Sequence, residues 1–239
     1  MTRNAPKSDV LAMFQEIEQT FTATKVLSQK WDLIVLSSLA GGNDPALCAD
    51  LYLYLIAKPD FSTPEQRIQL IRRIRETLFK LVCIVGVIKP IEAIRSINAV
   101  EREEDKDHST TREGWQCDAA NLKAGNDWLG KIYTRNTDET IGYFNDHKDF
   151  AWLSRNITYG LFLSDRQVMD DAETETVVLA GILMQNLHSE SMWHIRGARR
   201  IGLSKEDVQV VWNSVMRVSR HLGITLDRIP TVDEVECEV

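Results

Sequence analysis

Glu190-Ser191-Met192-Trp193-His194 sets a carboxylate and an imidazole four residues apart. On a helix that spacing puts both side chains on one face, within touching distance. Glu175 stands one apparent helix earlier, in Glu173-Thr-Glu-Thr-Val-Val-Leu-Ala. A carboxylate beside an imidazole orients it, and a second carboxylate can take or relay its proton. The pattern suits general acid–base chemistry near neutral pH: His194 would move the proton, Glu190 would orient it and Glu175 would complete the relay. The same spacing also describes a surface Glu–His pair contributing roughly 0.2–0.5 kcal/mol.

Two neighbours bear on the same chemistry. Arg196 lies two residues beyond His194, about 160° around an ideal helix. It reads as a surface or subunit-interface cation, or as a group that binds a substrate carboxylate. Tyr159 reads as a packed core residue, or as a hydrogen-bond donor to a substrate oxygen. The aromatic set Trp115, Trp128, Tyr133, Tyr143, Phe144, Phe150 and Trp152 reads as core or pocket wall. His188, Glu190 and His194 fall within seven residues. On one helix His188 points far from His194, and there is no His-Glu-x-x-His, so no metal site is expected. A Gly-rich phosphate loop, a Gly-x-Ser-x-Gly elbow and a paired-cysteine zinc motif are all missing from the sequence. No nucleotide, flavin or other cofactor is called for.

Composition narrows the class. The 239 residues are 44% hydrophobic and 26% charged, enough for one large domain or two small ones. A formal net charge of −7 argues against nucleic-acid and anionic-membrane partners. Arg72, Arg73 and Arg75 share one apparent helix and read as solvated charge. Cys48, Cys83, Cys117 and Cys237 are far apart, with no Cys-x-x-Cys, and read as reduced, mostly buried thiols. No apolar signal region follows Met1, and the runs Leu81–Ile88 and Val177–Met184 are too short to span a bilayer. Glu-Cys-Glu-Val at the end of the sequence matches no common sorting signal. The expectation is an intracellular protein, of the cytoplasm or an organelle matrix, acting on a small molecule.

Helical periodicity runs throughout and strand alternation is scarce, so the fold is expected to be all-α. Helices are predicted from Ser8 to about Leu27, Trp31 to Leu39, Ala46 to Ala57 and from a Ser62-Thr-Pro-Glu65 capping box to Gly86, with Pro90 starting another. Glu101–Glu113, EREEDKDHSTTRE, reads as a solvated loop or helix end. Short segments rich in Trp and Tyr follow, through Gly160. Ser164-Asp-Arg-Gln167 resembles another capping box, Glu173–Gln185 and Ser189–Arg200 read as helices, and Ser204 caps a last long helix through His221.

A weak internal repeat sets Gln69 on Gln209, Asp50 on Glu190 and Tyr54 on His194. It predicts a duplicated helical unit: a degenerate repeat in 1–100, an aromatic-rich connecting segment in 101–160 and a second repeat in 161–239. The first repeat lacks the imidazole and is expected to be a structural relic.

His194-Ile-Arg-Gly-Ala-Arg-Arg-Ile-Gly-Leu-Ser-Lys-Glu-Asp-Val resembles the signature of carboxymuconolactone decarboxylase-like proteins, of the alkylhydroperoxidase D-like superfamily. Ile157-Thr-Tyr-Gly160, Leu163-Ser164 and the Glu173–Ala180 stretch resemble a two-repeat branch of that family. The likeness is good over about Asp127–Val211 and faint over Trp31–Ile97. It implies the alkylhydroperoxidase D-like helical fold, homo-oligomerisation and a cofactor-free lyase or isomerase. Such an enzyme moves protons beside a carbonyl, lactone or carboxylate: a decarboxylase, isomerase, dehydratase or cyclase. The redox branch carries Cys-x-x-Cys-x-x-x-His, and here its cysteine positions hold Leu187 and Glu190. A peroxide reductase is therefore not expected. The other alternative is a non-catalytic small-molecule binder or scaffold.

Overall fold

Helix starts in this chain are written in side-chain caps. A computed structural model describes residues 5–21, 24, 27 and 30–239. Its helices are α1 (Ser8–Phe21), α2 (Trp31–Gly41), α3 (Cys48–Ile56, led in by a 3-10 turn Pro45–Leu47), α4 (Pro64–Val85), α5 (Ile88–Asn98), α6 (Ala119–Tyr133), α7 (Thr137–Gly142), α8 (Lys148–Trp152), a π-helix (Leu153–Leu163), α9 (Asp171–Leu183), α10 (His188–Arg200), α11 (Lys205–His221) and α12 (Val232–Glu236). There is no strand among the described residues, and the fold is all-α. Reciprocal capping boxes open α4 (Thr63 with Gln66), α9 (Asp170 with Glu173), α11 (Ser204 with Asp207) and α12 (Thr231 with Glu234). Each cap satisfies backbone N–H groups that the helix itself leaves free.

Two local expectations change. The α4 cap is Thr63, not Ser62, because Pro64 then takes the first helical position, where its missing N–H costs nothing. Ser164–Gln167 opens no helix; Asp165 instead accepts from the Gln167 backbone N–H, and the cap lies at Asp170. The predicted extension of the first helix to Leu27 crosses 22, 23, 25 and 26, outside the described residues.

The acidic stretch after α5 is a loop with one 3-10 turn, largely exposed as expected, but two of its aspartates are tied down. Asp105 is fully buried and accepts from Arg67 Nε at 2.7 Å. Asp107 accepts from Arg72 Nε at 2.8 Å and Arg75 Nη2 at 2.5 Å, and Arg73 binds the buried Asp32 of α2. Arg67, Arg72 and Arg75 of α4 thus pin this segment along the helix, while Arg72 and Arg75 stay partly exposed.

α2 and α9 from Glu173 onward are rich in apolar residues and buried on every face. Helices of that kind belong in the centre. They pack on each other, α4 packs on α9, and α11 packs on α2. α1 packs on α11 as the π-helix packs on α4. This is the arrangement two related units make when exchanged about an axis between α2 and α9. The register that sets Asp50 on Glu190 also brings α2 onto α9, α3 onto α10 and the start of α4 onto the start of α11. One hydrophobic core runs through both halves. A second cluster joins Trp128, Leu129, Ile132 and Tyr133 of α6 to Tyr159, Leu163, Val178 and Ile182. α6 reaches it by close backbone approach: a Cβ on Gly125 would lie 2.5 Å from the Gly160 nitrogen.

Candidate functional site

The packing of α10 on α9 brings one predicted pair together. Nδ1 of His194 lies 2.7 Å from Oε1 of Glu175. Glu175 is fully buried and His194 is 5% exposed. Burial pushes the Glu175 carboxyl above its ordinary value, opposed by His194 and, more weakly, by Arg166. Its second oxygen, Oε2, is buried with no hydrogen-bond partner. An ionised Glu175 accepts the Nδ1–H and so selects the tautomer that leaves Nε2 free to take a proton. Gly197, one turn beyond His194, lets α6 press against this pair. A Cβ there would sit 2.6 Å from Ile132 Cγ2 and 3.3 Å from Glu175 Oε1.

Glu190 does not orient His194. It is exposed in the first turn of α10, and the imidazole turns away from it, toward α9. Sharing a helix face sets a possible contact; the interhelical hydrogen bond, made in a dry interior, decides the actual one. The orienting carboxylate is Glu175, to which the spacing had given the relay. Glu190 stays close enough to raise the Tyr133 hydroxyl electrostatically.

Tyr159 is buried on the π-helix, and its hydroxyl donates to Tyr133 Oη at 3.0 Å. Tyr133, at the end of α6, meets the His194 ring edge-on with centroids 6.3 Å apart. Burial is the main cause that pushes Tyr133 up to about 12 and Tyr159 well above its ordinary value. Both therefore keep their protons at neutral pH. Having accepted from Tyr159, Tyr133 still has its own proton to donate. Sequence reasoning placed Tyr133 only among wall aromatics, since no spacing ties α6 to α10. Trp193 stacks on Tyr143 at 5.9 Å, and Tyr143, Phe150 and Trp152 are exposed rather than core.

Arg196 is not a surface cation. It is 5% exposed, and its Nη1 donates to Glu238 Oε2 at 2.7 Å. In the first unit, Asp50 accepts from the Lys7 backbone N–H at 2.7 Å, and the Tyr54 hydroxyl donates to Glu18 Oε2 at 2.7 Å. The position matching Glu175 there is the buried Val35.

Cys83 is pushed up to about 12 by burial, and Cys48 is raised further for the same reason. Cys117 and Cys237 are exposed, and all four thiols are free. Among the described residues no group of three or more His, Cys, Asp or Glu could hold a metal ion. Among them too, no helix is long and apolar enough to cross a membrane. A cleft of about 180 Å³ runs beside Arg72, Arg75, Phe79, Thr111 and Arg112; it does not open on His194.

Two relatives bear on the chain. It is 24% identical over 153 residues to a Schizosaccharomyces pombe protein named Peroxisomal protein 2, which spans 64% of this chain and 71% of that protein. It is 23% identical over 95 residues to a Saccharomyces cerevisiae protein of the same name, which spans 39% of this chain and 34% of that one. No family model matches the chain, and no solved structure does.

Proposed function

We propose that this chain is a cofactor-free acid–base enzyme in which His194 moves a proton at carbon beside a carbonyl, lactone or carboxylate. The observation that carries the reading is the buried Glu175–His194 hydrogen bond, with the Tyr133 ring edge-on to the imidazole. Glu175 holds the ring and its tautomer. Nε2 removes or returns the proton. Tyr133, held by Tyr159, steadies the negative charge that develops on the substrate oxygen. Decarboxylation, isomerisation, dehydration and ring closure all use these parts. The likeness of His194–Val208 to the signature of carboxymuconolactone decarboxylase-like proteins supports the same chemistry, and with it the alkylhydroperoxidase D-like fold and self-association.

The names of the two relatives support a location in the peroxisome. A fluorescent fusion expressed beside a peroxisomal marker tests that part, and a diffuse signal would count against it.

The chemistry is tested by incubating the protein with a mixture of small carbonyl, lactone and carboxylate compounds and following each by mass spectrometry. A compound converted by the native chain and spared by His194→Ala supports the proposal. Equal conversion by both overturns it.

A further inference from the structure

The sequence after α11 does not stop at the core. It folds back as α12 and lays Glu236 and Glu238 across the outer side of α10. Glu236 is paired through both oxygens with Arg199, Nε at 3.0 Å and Nη2 at 2.8 Å. Glu238 is held differently. Its carboxylate meets Arg196 through Nη1 alone, and its backbone carbonyl accepts from Arg200 Nη2 at 3.1 Å and Arg135 Nη2 at 2.8 Å. Three guanidinium groups therefore converge on one residue of the tail.

Arg196 is built for more than it receives. Its side chain is 6% exposed, whereas that of Glu238 is 43% exposed. Its Nε is buried with no hydrogen-bond partner, and so is Nε of Arg200. A guanidinium presents its donors as a planar fork that matches the two oxygens of a carboxylate. Nε–H lies on the guanidinium edge away from Nη1, so the room for gain at the place of Glu238 is the end-on fork of Nη1 and Nη2, of which Glu238 takes Nη1 alone. The cluster is also near the candidate site: Arg196 lowers the Tyr133 hydroxyl electrostatically, and Arg200 Nη1 donates to the Tyr133 backbone carbonyl at 2.6 Å.

We propose that Arg196, with Arg200 and Arg135, forms a binding site for a small carboxylate, which Glu238 occupies as a built-in competitor. Glu238 supplies the same chemical group as the ligand, on an exposed and shallowly held residue. A free carboxylate takes the Arg196 fork through two oxygens and displaces the tail. The idea rests on the acid–base reading only in making that ligand a substrate; binding itself needs no turnover.

The experiment is calorimetric titration of the full chain with malonate. Glu238→Ala removes the competitor from an exposed position and keeps the fold. It should bind malonate at least tenfold more tightly than the native chain, and adding Arg196→Gln should abolish the gain. Equal affinity in the native chain and Glu238→Ala overturns the proposal. So does a gain that survives Arg196→Gln. Should the double variant fail to fold, the comparison of the native chain with Glu238→Ala still decides. Because no catalysis is read, a negative result here leaves the His194 chemistry standing, and inactivity on every substrate leaves this site standing.

Discussion

Oε1 of Glu175 and Nδ1 of His194 lie 2.7 Å apart across the α9–α10 contact, both out of water. A buried carboxyl whose folded pKa is raised holds its proton more tightly in the folded chain than in the unfolded one. Stability then falls as pH rises from the ordinary carboxyl value, near 4.5, through the folded value. Glu175→Gln removes that slope. Urea unfolding of both chains at pH 4 and pH 8 should show the variant gaining on the native chain at the higher pH. A variant that loses ground to the native chain between pH 4 and pH 8 would show that the carboxylate is stabilised, not strained, by its site.

Lys80 gives a slope of the opposite sign. Its amino group is fully buried and bonded to the Asp165 carbonyl at 2.9 Å, and burial lowers it to about 8. Between about 8 and the ordinary 10.5 the unfolded chain binds the extra proton, so native stability rises with pH across that window. Lys80→Met should lose this rise. Denaturant midpoints at pH 7.5 and pH 10 check it, and parallel behaviour in both chains would contradict the assignment.

Gly197 tests the packing that brings α6 to the pair. Ala there must push Ile132 or Glu175, since its Cβ would meet Ile132 Cγ2 at 2.6 Å. Overpacking of this kind costs about 1–3 kcal/mol. A thermal midpoint unchanged in Gly197→Ala would mean that α6 is not pressed against α10.

Tyr133 and Tyr159 are interlocked, so each should depend on the other. Tyr133→Phe strands the Tyr159 hydroxyl in a buried place, at a cost of about 1–3 kcal/mol. The double change to Phe should cost less than the sum of the two single changes, because it removes donor and acceptor together. Additive losses in a double-mutant cycle would refute the bond.

Peroxide chemistry should be absent. Cys48 and Cys83 are held as thiols by burial, and the positions of a redox pair are Leu187 and Glu190. Exposed Cys117 and Cys237 lie apart in the chain, one before α6 and the other after α12. Alkylation of accessible thiols should leave any native turnover intact, and thiol-dependent consumption of a hydroperoxide would overturn this.

Much of the fold was legible because its cues are local. The Ser204 cap, the apolar α2 and the breaks at Gly86 and after Arg200 are each written within a few residues. The register that sets Asp50 on Glu190 and Tyr54 on His194 also matches the bounds of α2 with those of α9 and of α3 with those of α10. The site was only half legible. His194 and Glu175 stand on separate helices, and nothing in their spacing says that the imidazole prefers the buried acid to Glu190 four residues away. Tyr133 was hidden for the same reason: α6 meets the π-helix through Gly125 and Gly160 and meets α10 at Gly197, contacts made by the absence of side chains. The arginines of α4 were misread because their acceptors, Asp105 and Asp107, lie in a stretch whose polarity suggested water.

The central claim is that His194 carries the proton. Its most direct measurement is solvent-deuterium exchange at carbon, followed by proton NMR, for the native chain and His194→Asn on the same set of enolisable keto acids and lactones. Asn keeps a polar side chain of similar reach but cannot accept and return a proton. The account predicts exchange by the native chain, and a loss of roughly 10²–10⁴-fold in a variant that remains folded. Exchange by His194→Asn at the native rate would contradict it.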